Sequence, residues 1–333
     1  MNEKSDAGRR WRFVALLLAA GAATFAVLST PMAHAQAYPT KPIKIITPVP
    51  PGGPSDIVAR LYGQKLTEKW GQPVIIENRP GGNGVIAAEL AAKSAPDGYT
   101  LFQTIDFVLT MNQAMYAHLL YDPVKSFAPV SLLTTQVSQI STNPKFPAKS
   151  LKDVVEYAKA NPGKINFGYS VINGLVLLEQ FKAMAGIEVT NVPYKGASAI
   201  IPALLAGDID MDVSEIPTHA PHIKAGRMRG LATTGPSRSA TLPDVPTVAE
   251  AGYPGLDGTF WFGLVAPAGT PKTIVDKLNA ELNTILRLPE IRERLAASGM
   301  DSAPSTPEQF AALIKADSEK WSKVIRAAKI HLD

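Results

Sequence analysis

Apolar and polar positions fall in short blocks along most of this chain, and Gly/Pro clusters punctuate the blocks. Ile43, Ile45, Ile46 and Val49 are β-branched and apolar, as a buried strand requires. Pro50, Pro51, Gly52, Gly53 and Pro54 cannot continue a ladder and predict a tight turn. Ser55 or Asp56 then predicts a helix cap, and Ile57, Val58, Leu61 and Tyr62 share one helical face. The motif recurs. Strand patterns at 74–77, 99–102, 165–168, 189–194, 209–213, 230–234 and 260–265 alternate with helical ones at 85–93, 151–160, 174–185, 197–205 and 219–224. Ser150 and Asp153 make an S-x-x-D start, and Thr270-Pro271 and Thr306-Pro307 open the last long helices. An extended segment from Ala128 to Leu133 is long enough to cross between domains. The alternation predicts an α/β protein with mainly parallel sheets.

The first 35 residues do not fit this alternation. Arg9, Arg10 and Arg12 precede an apolar run from Phe13 to Leu28, and Ala33-His34-Ala35 reads as a small-residue cleavage site. That is the pattern of a secretory leader, so the expected mature chain has 333 − 35 = 298 residues and ends free in its compartment. Such a length suggests two domains. The net charge of +4 includes +2 from the leader, which leaves about +2 and gives no support to nucleic acid as a partner. There is no cysteine, so disulfides, thiolate nucleophiles, cysteine metal sites and a lipidated cysteine anchor are excluded.

The candidate chemistry is sparse. A glycine turn that runs into a helix gathers outward-pointing N–H groups at the positive end of the helix dipole, so the Gly52-Gly53 loop suits a carboxylate or phosphate. The same turn also serves as a plain strand–helix connection. Gly82-Asn83-Gly84-Val85-Ile86-Ala87 fits G-x-G-x-x-A, with Asp106 about twenty residues on, which is the case for a dinucleotide oxidoreductase. Ser170 is the hydroxyl an exported hydrolase would use, but no G-x-S-x-G elbow and no base are visible. His219 and His222 lack a third ligand and read as a surface pair, with no metal or cofactor expected. Asp210 and Asp212 leave one face of a strand, more in the manner of a solvated face than of a catalytic pair.

A series of short segments carries a resemblance. They are Tyr38-Pro39-Thr40-Lys41-Pro42-Ile43, Pro51-Gly52-Gly53 with Asp56, Glu77-Asn78-Arg79-Pro80-Gly81, and Ala95-Pro96-Asp97-Gly98-Tyr99-Thr100-Leu101. Tyr121-Asp122-Pro123, Val192-Pro193-Tyr194-Lys195-Gly196, Leu242-Pro243-Asp244-Val245-Pro246-Thr247 and Ala266-Pro267-Ala268-Gly269-Thr270-Pro271 follow in order. The chain resembles the substrate-binding proteins of tripartite tricarboxylate transporters, the Bug family of periplasmic receptors. The resemblance implies a two-domain periplasmic-binding-protein-like α/β fold with a ligand cleft between domains. Residues 36–140 plus 260–333 would form one domain and 141–259 the other. It implies a non-enzymatic, monomeric receptor that takes a small organic carboxylate to membrane transporter subunits. It places the ligand against Val49, Pro51, Gly52, Gly53, Pro54, Ser55, Asp56, Thr104 and Asp106 on one side, and Ser170, Asn173, Gly174, Ser214 and Glu215 on the other. Val49, Pro54, Ile105, Phe107, Val171 and Ile172 make these loops more apolar than the family pattern. The expected ligand is therefore an aromatic or aliphatic acid with one anchored carboxylate rather than citrate. Asp106 would repel a second carboxylate or attract an ammonium or hydroxyl group.

Overall fold

The computed structural model describes residues 38–256 and 258–332, the side chains of 197 and 198 apart. The predicted leader lies outside them. Residues from Lys41 onward form one compact unit built on two sheets.

The first sheet starts as the sequence predicts. Strand β1 (Ile43–Thr47) runs through the Pro/Gly turn into α1 (Pro54–Trp70), and β2 (Val74–Asn78) and α2 (Val85–Ala92) follow. Strand β3 (Thr100–Ile105) runs three residues beyond the predicted strand, so Gln103, Thr104 and Ile105 belong to a ladder rather than a loop. The short helices α3 (Asp106–Thr110) and α4 (Asn112–Met115) come next, then the long strand β4 (Phe127–Gln136). One residue, Val137, separates β4 from β5 (Ser138–Thr142), which pairs in the second sheet. The switch therefore falls before Ile140, which pairs with Val213 and Ala232 on the far side.

The second sheet continues with α5 (Leu151–Ala160), β6 (Asn166–Tyr169), α6 (Ile172–Ala185), β7 (Thr190–Pro193) and α7 (Ala197–Ala206). Strand β8 (Met211–Glu215), α8 (Ile216–Lys224) and β9 (Arg229–Thr233) complete it. The chain then returns to the first sheet with β10 (Phe260–Pro267), α9 (Lys272–Leu286), α10 (Pro289–Ala297), β11 (Met300–Ser302) and α11 (Pro307–Ala328). The strand orders are β11-β4-β10-β3-β1-β2 and β7-β6-β8-β5-β9.

Neither sheet is mainly parallel. In the first, β2, β1 and β3 are parallel, while β10 and β11 run antiparallel to their neighbours. In the second, β7, β6 and β8 are parallel and β5 is antiparallel to both of its neighbours. The strands that arrive from the other sheet, β5 and β10, enter against the direction of the β–α–β strands they join. Block alternation cannot show that.

Each sheet has its own core. Phe102, Phe127, Trp261 and Phe310 anchor the first, and Phe167, Phe181, Met211 and Leu231 the second. Gly263 in β10 has the Phe310 ring where a Cβ would stand, 2.1 Å from Cζ, so only glycine lets α11 seat against the sheet. A third cluster joins the halves: Met111 and Met115, Ile172 and Val176 of α6, and Trp321 and Ile325 of α11. The last helix is thus shared between the sheets, and Pro217 of α8 likewise covers Gly299, which follows α10.

Candidate functional site

In open α/β sheets ligands bind beyond the carboxyl ends of the strands. The predicted site residues sit there: 49–56 after β1, Thr104 and Asp106 at the end of β3, Ser170, Asn173 and Gly174 after β6, and Ser214 and Glu215 at the end of β8.

The loop after β1 is held from behind. Neither Ser55 nor Asp56 caps α1; the cap is Gly53, at φ −73°, with Pro54 in the first turn. Asp56 is buried and points back under the loop. Its Oδ2 accepts from the Gly52 N–H at 2.9 Å and from Arg60 Nε at 2.8 Å. Its Oδ1 accepts from Asn78 Nδ2 at 2.8 Å, and the same amide reaches the Val49 carbonyl at 3.0 Å. Burial opposes the charge on Asp56, but the Arg60, Gly52 and Asn78 donors together outweigh it and hold the carboxyl below its ordinary range. Gly52, at φ +86°, supplies the left-handed conformation, and its N–H is spent inside the protein. Asp56 braces the loop from beneath.

Ser55 is also buried, and its Oγ accepts from Gln103 Nε2 at 2.8 Å. The Thr104 hydroxyl donates to the Ile105 carbonyl at 3.0 Å within the strand. Neither side chain faces an opening. Pro51, Gly52 and Pro54 remain exposed at the surface of the loop, and Val49 and Gly53 half-buried.

Asp106 meets another of the predicted site residues. It is 1% exposed, and its two oxygens lie 3.1 and 2.9 Å from Nδ2 of Asn173 on the first turn of α6. The carboxyl end of β3 in one sheet thus meets the helix that follows β6 in the other. Gly174 lies beside Asn173, where a Cβ would come within 3.1 Å of both Tyr169 and Val213, so the turn is packed too tightly for a larger residue. Ser170 is half-buried just before, and Val171 is 46% exposed.

The acids and histidines of the second half form a sealed chain. Asp212 and His219 are fully buried, with Asp212 Oδ2 2.9 Å from His219 Nε2. Nδ1 of His219 lies 3.2 Å from Ser141 Oγ, and the Ser214 hydroxyl donates to Asp212 Oδ2 at 3.3 Å. The expected solvated strand face and surface histidine pair are therefore wrong: only His222 is partly exposed, and burial lowers its pKa. A serine–histidine–aspartate chain can serve nucleophilic catalysis, but Ser141 and His219 show no exposed surface, so no substrate reaches them. They pin α8 to the sheet and orient Ser214, with Glu215 half-buried beyond it. Asn78, Gln103 and Ser141 were not foreseen. Asn78 had a signal, as a polar residue ending an apolar strand. Among the described residues no cluster of three or more His, Asp or Glu could hold a metal, and no helix is long and apolar enough to cross a membrane.

Two sheets joined by strand crossings, with polar loops meeting at their carboxyl ends, define a periplasmic-binding-protein-like α/β fold. Solved structures agree. A Rhodopseudomonas palustris protein solved with adipate is 33% identical at a TM-score of 0.78, covering 88% of this chain and 99% of its own. MatC from Rhodopseudomonas palustris, solved with bound malate, is 31% identical at 0.74, covering 86% and 100%. BugT of Bordetella pertussis is 35% identical over 295 residues, 88% of this chain and 90% of that protein. Residues 58–330 match the family described as "Tripartite tricarboxylate transporter family receptor", and the chain belongs to that family. It is a solute-binding receptor and not an enzyme.

Proposed function

We propose that this chain is an exported receptor that binds a small organic carboxylate between its two sheets and delivers it to membrane subunits of the tripartite tricarboxylate type. The observation that carries the reading is the meeting of Asp106 with Asn173, which joins the two halves at their strand ends. The first amides of α1 and α6 have no intrahelical acceptor, and each helix begins after the carboxyl end of a strand, where its dipole favours an anion. The neighbours solved with adipate and malate support a carboxylate ligand. Half-buried Val49 and Ile105 and exposed Val171 favour a ligand with carbon surface and one anchored carboxylate. The proposed lobes are those expected, 36–140 plus 260–333 and 141–259, with β4 in the first sheet and β5 in the second putting the crossing near that boundary. The reading also takes the receptor as a monomer, with a leader removed after Ala35 on the small-residue pattern of 33–35.

Denaturing the purified mature protein and identifying any released acid by mass spectrometry tests this directly, together with thermal shifts across mono- and dicarboxylates. An acid recovered unchanged is expected, with about 2.7 kcal/mol of added stability at 100 times Kd. No stabilisation by any carboxylate, or chemical conversion of one, overturns it.

A further inference from the structure

Asp106 does more than join the halves: it decides which way the Asn173 amide faces. Nδ2 lies against both carboxylate oxygens. Turning the amide over would set Oδ1 against the carboxylate, acceptor against acceptor. Oδ1 is therefore committed to the opposite side. There it is buried, on a side chain only 8% exposed, with no hydrogen-bond partner among the described residues. A buried acceptor without a donor is disfavoured, and a carboxylate has no proton to give it.

We propose that Asn173 Oδ1, oriented by Asp106, recognises a hydrogen-bond donor on the ligand, so that the receptor selects acids bearing a hydroxyl or an ammonium over their unsubstituted counterparts. This rests on the carboxylate-receptor function proposed above and adds a second group the ligand must carry. Asn173 touches the ligand, and Asp106 is a positioning residue. A site that hydrogen-bonds a substrate hydroxyl rejects the analogue lacking it, because the protein group is then left unpaired. The discrimination comes from that cost more than from the bond itself.

Calorimetric titration with two matched sets tests the proposal: succinate, malate and aspartate, and 3-phenylpropionate, 3-phenyllactate and phenylalanine. In whichever set binds, the hydroxyl or ammonium member is expected to bind about tenfold tighter or more than the unsubstituted acid. Asn173→Ala removes the acceptor, and Asp106→Asn frees the amide to turn. Both are expected to bring that ratio to within about twofold. Thermal unfolding shows first that each variant folds; if Asp106→Asn does not, Asn173→Ala alone decides. Equal affinities within a set, or a preference that survives Asn173→Ala, overturn this inference alone. Failure of all six acids to bind overturns the carboxylate-receptor function and this inference with it.

Discussion

Asp56 and Asp106 are both buried carboxylates in the first turn of a helix that follows a strand of the first sheet, yet their partners differ in kind. Asp56 is held by a backbone N–H, an amide and a guanidinium, all within 30 residues of it. Asp106 accepts from an amide 67 residues away, in the other half of the molecule. The first arrangement shapes a loop whatever the halves do. The second depends on how the halves meet. Charge, burial and position within a helix do not separate the two roles; only the origin of the donors does.

The comparison breaks most readily at Asp56. Asp56→Ala leaves the Gly52 N–H without its acceptor and the Asn78 amide with the Val49 carbonyl alone, and is expected to cost about 3 kcal/mol. Asp106→Asn keeps a polar group of the same shape and is expected to cost under about 1 kcal/mol. Urea unfolding of both variants measures the contrast. Equal losses would show that the contact between halves contributes to stability as much as the loop brace does.

The glycines sharpen it next. Gly52→Ala puts a side chain at φ +86°, with an expected loss of about 1–2 kcal/mol and weaker ligand binding. Gly53→Ala meets only ordinary contacts, at 3.6–3.9 Å from Pro50 and Val49, so stability should change by less than about 0.5 kcal/mol. Thermal melts and calorimetry on the pair decide which glycine shapes the loop. A larger effect at Gly53 would place the ligand against its Cα. Ser170→Ala, on the opposite side, removes at most one neutral hydrogen bond to the ligand, and affinity should fall by no more than about 0.5–1.5 kcal/mol.

The smallest effect is in acid. The Asp56 carboxyl is lowered in the folded protein, so its contribution is complete above the unfolded value of 3.8 and is lost as pH falls through the folded value. Below pH 3.8 the wild type should therefore lose stability more steeply than Asp56→Asn, as followed by urea midpoints. Parallel profiles would mean that the carboxylate gains nothing from its three donors.

The sequence by itself determined the α/β alternation, the turn after β1, the family, and the segments that line the strand ends. Each of these is local. An apolar block bounded by Pro and Gly forms a strand and a turn with little regard to its surroundings. Tertiary structure alone decided the mixed direction of the sheets, because β5 and β10 take their direction from the sheet they enter. It also decided which polar side chains serve the fold. Asp56, Asp106, Asp212 and His219 stand in polar stretches that read as cap, pocket wall or solvated face, and all four are buried. A buried carboxylate or imidazole is tolerated only where donors or acceptors meet it. Those partners, Arg60 and Asn78, Asn173, and Ser141, lie between 4 and 78 residues away. No periodicity in the chain records such pairings, because they exist only once the strands have been brought side by side.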